Sequence, residues 1–247
     1  MKKFFVVGNK TSKSLSPLIF NHWFKKYNIK AKYSFLEIDE QNFDKAVIKK
    51  FQDKQVCGFN VTTPFKTNIL KHLNKTSSHA SKIGAVNCVK VGKKIIGTNT
   101  DWIGYLNSIK EANKNKNKNI LILGFGGASQ AIYYGLSLKG HKVDVISGPP
   151  YPDLHEGIKL IKLPGLNLFE TFSFKDRLIK FKKKKNKNID DYYEFFTSLI
   201  GGFPELKTFG SRVNKYLRNN SNYDVIIDNQ SISYGLLEIQ KRFPLIE

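Results

Sequence analysis

The sequence predicts an α/β protein of two domains, residues 1–112 and 113–247, the second an incomplete Rossmann-like, doubly wound domain. Three observations predict it. Strand and helix signals alternate along the first domain. A lysine–asparagine tract, NKNKNKN at 113–119, then interrupts the pattern. Directly after it, NILILGFGGASQAIYYGLSLKGHKVDVIS (119–147) reads as strand, glycine-rich turn, helix and second strand.

Each element has its own signal. FFVVG is an apolar strand closed by Gly8. SPLIFNHWFKKYN opens with Ser16 as a helix cap and Pro17 in the first turn, and its apolar residues recur at helical spacing. KYSFLEI is a strand, NFDKAVIKKFQ a helix, VCGFNVTT a strand and TNILKHLN a helix. AVNCVKV and KKIIGTNT pair as a hairpin across Gly92, and WIGYLNSIKEAN is a helix leading to the tract. Such alternation predicts a mostly parallel sheet covered by helices. Beyond Ser147 come a turn-rich loop (GPPYPDL), a strand (GIKLIKLPGL), helices in DDYYEFFTSLI and FGSRVNKYLRN, a strand in YDVIIDNQ and a last helix, YGLLEIQKRF.

Composition bounds the function classes. With 247 residues, 40% hydrophobic and 13% aromatic, the chain is globular and can bury a real core. No apolar run reaches the ~18 residues a membrane span needs. The N-terminal run after Lys2 and Lys3 is broken by Gly8-Asn9, so it reads as a strand and not a signal peptide; the expected location is cytoplasmic. Cys57 and Cys88 lie in strand-like segments without metal-ligand spacing, which predicts buried thiols and no metal site. The net charge is +21, from 41 basic and 20 acidic side chains. Much of it sits in NKNKNKN and in KKKKNKN (182–188), which read as surface loops. No arginine-rich helix or RNP-type motif accompanies it, so nucleic acid is disfavoured as a partner. A small anionic substrate suits the field better.

Four polar clusters fall where strands end or helices begin: SKSLSP, NVTTPFK, AVN and GTNTDWIG. Ligands bind at such ends in α/β sheets. Ser14 and Ser16 offer hydroxyls near a helix start, suited to a carboxylate. Asn60, Thr62, Asn87 and Asn99 offer neutral groups suited to hydroxyls, and Lys66 and Asp101 one cation and one anion. Singly, each reads first as structural, a cap, a turn or a surface charge; together they describe a pocket for a polyhydroxylated acid. Pro64 stops the strand and presents Lys66 to that pocket. Gly124, Gly126 and Gly127 let backbone amides approach a pyrophosphate at a helix N-terminus, with Ala128 behind them.

SKSLSP, NVTTPFK, GAVN, GTNTDWIG and LGFGGASQA, in this order, resemble shikimate dehydrogenase over residues 1–133. The resemblance implies a substrate-binding first domain and NADP-dependent, reversible reduction of 3-dehydroshikimate to shikimate in aromatic amino-acid biosynthesis. By the same resemblance Lys66 and Asp101 form the catalytic pair. Ser14 and Ser16 hold the substrate carboxylate, Asn60, Thr62, Asn87 and Asp101 its ring hydroxyls, and Gly124, Gly126, Gly127 and Ala128 the cofactor. Where the family carries an arginine for the 2′-phosphate, this chain has Ser147-Gly148, which leaves NADP against NAD open. Residues 133–247 separately resemble the N-terminal half of a family 4, GT-B-type glycosyltransferase, implying a fusion of two partial enzymes. Two alternatives follow from it: a chain that binds shikimate without turnover, or a glycosyltransferase-like acceptor-binding half.

Overall fold

In a computed structural model the chain is described over residues 1–109, 117–154, 157–168, 171, 173–202, 204–228 and 245–246. It divides into two units, residues 1–111 with 130–135, and 112–129 with 136–247. The domain boundary anticipated at 112/113 and the final helix anticipated in 234–243 lie outside the described residues.

The first unit runs β1 (Lys2–Gly8), α1 (Ser16–Lys26), β2 (Ala31–Glu37), α2 (Phe43–Gln52), β3 (Val56–Val61), β4 (Lys75–Thr76), α3 (Ser78–Ile83), β5 (Cys88–Lys90), β6 (Ile96–Thr98) and α4 (Asp101–Ser108). Its six strands order β2-β1-β3-β5-β6-β4. β2, β1 and β3 are mutually parallel, so their carboxyl ends share one edge. β5 and β6 form the antiparallel pair expected around Gly92, with β5 antiparallel to β3 as well. Val7, Val56, Phe59 and Val61 from the strands pack with Phe43 and Val47 of α2 into one buried cluster.

Three local expectations are corrected. TNILKHLN forms a short 3-10 helix, Asn68–His72, not an α-helix. Its start follows directly on the turn at Phe65, and it leaves at Leu73 in extended geometry, so one turn and a half is all the chain has room for. Ser16 is the first residue inside α1 and not its cap; Leu15 holds the cap position without a side-chain bond, and Ser14 Oγ accepts from the Ser16 amide at 3.2 Å. Cys57 and Cys88 are free thiols and half-buried, not fully buried.

The second unit holds β7 (Asn119–Leu123), α5 (Gly127–Leu138), β8 (Lys142–Ser147), β9 (Leu160–Lys162), α6 (Phe174–Lys183), α7 (Ile189–Leu199), α8 (Glu205–Asn219), β10 (Val225–Asp228) and β11 (Leu245–Ile246). The sheet is wholly parallel, in the order β11-β10-β7-β8-β9. That explains the near-continuous apolar runs of β7, β8 and β10: both faces of such strands are covered. Leu121, Leu123, Ile146 and Ile226 meet Phe209, Val213 and Leu217 of α8 in its core. The lysine-rich stretch read as a loop is helical up to Lys183. Ser173 caps α6 by accepting from the Asp176 amide, and basic residues fill its last turn, where the helix dipole favours them. Among the described residues no helix is long and apolar enough to cross a membrane.

Candidate active site

The turn after β3 sets the site. Phe65 N–H donates to the Thr62 carbonyl at 2.9 Å, closing the turn, and the Phe65 side chain is fully buried, stacked on Phe43 at 4.1 Å. With Phe65 anchored inward, the next side chain points the other way. The Lys66 carbonyl is fixed by the Val86 amide at 2.8 Å, so the segment is held on both flanks. Lys66 Nζ then meets Asp101 Oδ2 at 2.7 Å, with only 16% of the lysine side chain exposed.

Asp101 opens α4, where a carboxylate suits the positive end of the helix. Its amide donates to Asn99 Oδ1 at 3.0 Å, and Asn99 Nδ2 donates to the Ala85 carbonyl at 3.0 Å. Asn87 Nδ2 donates to the second carboxylate oxygen, Asp101 Oδ1, at 2.6 Å. Its Oδ1 accepts from the Thr100 amide at 2.9 Å. Both Asp101 oxygens are therefore committed to fixed partners, and the ammonium of Lys66 is aimed by a carboxylate that cannot easily turn. Asn60, on β3, lies against the same segment: Asn60 Nδ2 donates to the Asn87 carbonyl at 3.5 Å.

The remaining residues sit on the same strand edge without a hydrogen bond into this cluster among the described contacts. Thr62 follows β3, and its methyl would lie 2.5 Å from a Cβ on Gly8, so only glycine lets β1 and the turn approach this closely. Ser14 and Ser16 bond to each other, Oγ to Oγ, at 3.2 Å. Their loop is tied down at its start by Glu37, at the end of β2, which accepts from the Thr11 and Ser12 amides at 2.8 Å each. Those two bonds hold the Glu37 carboxyl below the ordinary carboxylate range.

Sequence reasoning missed two members. Tyr33 of β2 donates its hydroxyl to Asn60 Oδ1 at 2.6 Å, and burial pushes its phenol up. Thr100 buttresses Asn87, accepting from Asn87 Nδ2 at 3.0 Å. The one available signal was position: Tyr33 alternates inward on the strand beside β1, and Thr100 lies between the two chemical residues of TNTD.

In the second unit, the glycine turn follows β7, where the strand order reverses between β7 and β10. Such a switch point opens a crevice at the carboxyl ends of the strands. Gly124 has φ 77°, which strains a side chain, and a Cβ on Gly126 would meet nothing within 4 Å. The turn therefore leaves open space beside the start of α5, and Gly124, Gly126, Gly127 and Ala128 fit a dinucleotide pyrophosphate there. At the end of β8, Ser147 and Gly148 line a cavity of about 280 Å³ together with Leu163, Phe209 and Arg212. Arg212 is its one cation among the described lining residues, and it is already bound to Asp191 and Glu194.

Residues 6–89 match the family model described as the shikimate dehydrogenase substrate binding domain. A shikimate dehydrogenase (NADP(+)) of Caldicellulosiruptor saccharolyticus is 35% identical over 191 residues, covering 72% of this chain and 67% of that relative. The chain belongs to the shikimate dehydrogenase family. It spans 67% of that relative and little more than half, 52–57%, of further curated shikimate dehydrogenases. The crystal structure of shikimate dehydrogenase from Aquifex aeolicus superposes with a TM-score of 0.64 at 28% identity, over 94% of this chain and 70% of that one. A Thermus thermophilus shikimate 5-dehydrogenase, solved in complex with NADP(H) and shikimate, matches at TM-score 0.56 and 26% identity, over 65% of this chain and 63% of its own. Because the Aquifex match runs through both units, the second follows the shikimate dehydrogenase fold too. The fusion drawn from the glycosyltransferase resemblance finds no support in these matches.

Proposed function

We propose that the chain catalyses the NADP-dependent, reversible reduction of 3-dehydroshikimate to shikimate, a step of aromatic amino-acid biosynthesis, in the cytoplasm. The first unit is the substrate-binding domain in this reading and the second the cofactor domain. The observation that carries it is the Lys66–Asp101 pair, 2.7 Å apart, locked by Asn87 at a strand edge rich in neutral hydrogen-bonding groups.

Ser14 and Ser16 bind the substrate carboxylate through their hydroxyls at the start of α1. Asn60, Thr62, Asn87 and Asp101 take the ring hydroxyls, each of which needs both a donor and an acceptor. Lys66 stands at the carbonyl carbon's oxygen. As the carbonyl is reduced, its ammonium donates a proton to that oxygen; in the reverse direction the amine receives it. Asp101 keeps the lysine in place and stabilises its charge. Gly124, Gly126, Gly127 and Ala128 hold the dinucleotide at the start of α5. The bound cofactor supplies or accepts the hydride. Ser147-Gly148 offers no cation to a 2′-phosphate, so the preference for NADP over NAD rests on the relatives, which are named for NADP(+).

Initial rates of shikimate oxidation, followed by NADPH absorbance, test the proposal. The chain should turn over with NADP, and Lys66→Ala and Asp101→Asn should each lose about 10²- to 10⁴-fold in kcat, the usual worth of a positioned acid–base group. Turnover that survives Lys66→Ala would remove the lysine from the chemistry.

A further inference from the structure

Helix α7 divides its faces unusually. Its inward face carries Asp191, Glu194 and Ser198, each at most 3% exposed, beside one buried aromatic, Phe195. Its outward face carries Ile189, Tyr192, Tyr193, Phe196 and Leu199, continued by Ile200 beyond the last turn; Ile189 is 86%, Phe196 60% and Ile200 85% exposed. At 3.6 residues per turn these six side chains fall within about 120° of arc, in a stripe roughly 16 Å long. Single exposed apolar residues need no explanation, but a continuous stripe on a helix whose other face is charged marks an interaction surface.

What borders the stripe identifies what covers it. Phe181 of α6 meets Tyr192 edge-on at 5.3 Å, which sets the basic end of α6 beside α7. There Lys182, Lys183 and Lys185 are exposed. On the opposite flank Lys207 of α8 lies 4.8 Å from the Tyr193 ring. Among the acids of these elements, Asp191 and Glu194 point inward to Arg212 and Glu205 of α8 is half-buried. Asp190 and Asp176 accept from Ser211 and Ser173 and keep their charge, so the exposed Lys182, Lys183, Lys185 and Lys207 outnumber them at the border of the stripe.

We infer that this face of the second unit docks onto an anionic lipid surface. Apolar side chains enter the boundary between headgroups and acyl chains, tyrosines lie at headgroup level, and the flanking lysines bind lipid phosphates. Self-association through the same stripe would bring two lysine flanks together, where like charges oppose it. Nucleic acid would satisfy the lysines and leave the aliphatic stripe in water. The inference does not involve Lys66, Asp101 or the glycine turn.

Co-sedimentation of the full chain with vesicles tests it, using phosphatidylcholine alone and phosphatidylcholine mixed with phosphatidylglycerol. The chain should sediment with the anionic vesicles and stay in solution with the neutral ones. Phe196→Ser with Ile200→Ser should lower partitioning about tenfold, and Lys182→Gln and Lys183→Gln about fivefold each, the ordinary worth of one basic residue near such a surface. Thermal midpoints report whether the variants fold; if the serine pair does not, the lysine variants decide alone. No sedimentation, equal sedimentation with neutral vesicles, or unchanged partitioning of the variants would overturn the inference. So would a dimer in sedimentation velocity that the serine pair dissolves, which gives the stripe to a second copy, or RNA binding lost in the same variants.

Discussion

Lys66 and Asp101 are 35 positions apart, and what unites them is a chain of backbone and amide bonds. Phe65 is locked in the core, Val86 holds the Lys66 carbonyl, and Asn87 and Asn99 orient Asp101 from either side. The same economy ties down the serine loop, where one carboxylate, Glu37, accepts two amides. That bond pattern gives a pH signature. The folded Glu37 carboxyl is depressed, so its stabilisation is complete above its unfolded pKa, about 4.3, and is lost as pH falls through the lower folded value. Glu37→Gln should therefore lower the thermal midpoint at neutral pH, and the gap to the parent chain should close in strong acid. A gap that persists unchanged there would deny Glu37 its role as an ionised anchor. The polar site residues were legible because each sits where a strand or helix signal breaks, as Asn60 through Lys66 do after VCGF. Tyr33 was not, because an inward aromatic on an alternating strand reads as ordinary core until its hydroxyl is seen on Asn60.

At the level of elements, the strands were the most legible part. β7, β8 and β10 are short apolar runs bounded by turns, and a parallel sheet covered on both faces demands that pattern. The hairpin of β5 and β6 was readable from Gly92 between two strand-like runs. α6, FKDRLIKFKK, was overlooked although its start, SFKD, carries a local cap pattern; only its last two residues, Lys182 and Lys183, belong to the tract that reads as a loop. α7 departs from the usual rule: all its apolar side chains but Phe195 are exposed, while Asp191 and Glu194 are buried against Arg212. Buried charges of this kind depend on their partner. Arg212→Leu would leave Glu194 without a cation and Asp191 with Lys184 alone, and the second unit should lose roughly 3–5 kcal/mol, read by denaturant unfolding. A loss under about 1 kcal/mol, the level of a surface ion pair, would mean that water reaches the cluster.

At the scale of the whole molecule, two units each carry their own parallel-stranded edge. Sequence alone delivered the α/β class and the family, because glycine turns, strand ends and caps are local and leave local marks. It did not separate a shikimate dehydrogenase second half from a glycosyltransferase-like one, since a strand, a glycine turn, a helix and a second strand serve both folds equally. The net charge of +21 favours anionic substrates without choosing among them. In the proposed function the first unit is a shikimate pocket closed by Lys66 and Asp101. Thermal unfolding of the full chain with and without shikimate, beside Asp101→Ala, tests it most directly. A ligand present at about 100 times its Kd stabilises the folded state by about 2.7 kcal/mol, so the midpoint should rise by several degrees in the parent chain and not in the variant. A cooperative melt that shikimate leaves unmoved, or moves equally in both chains, would mean that Lys66 and Asp101 close no shikimate pocket.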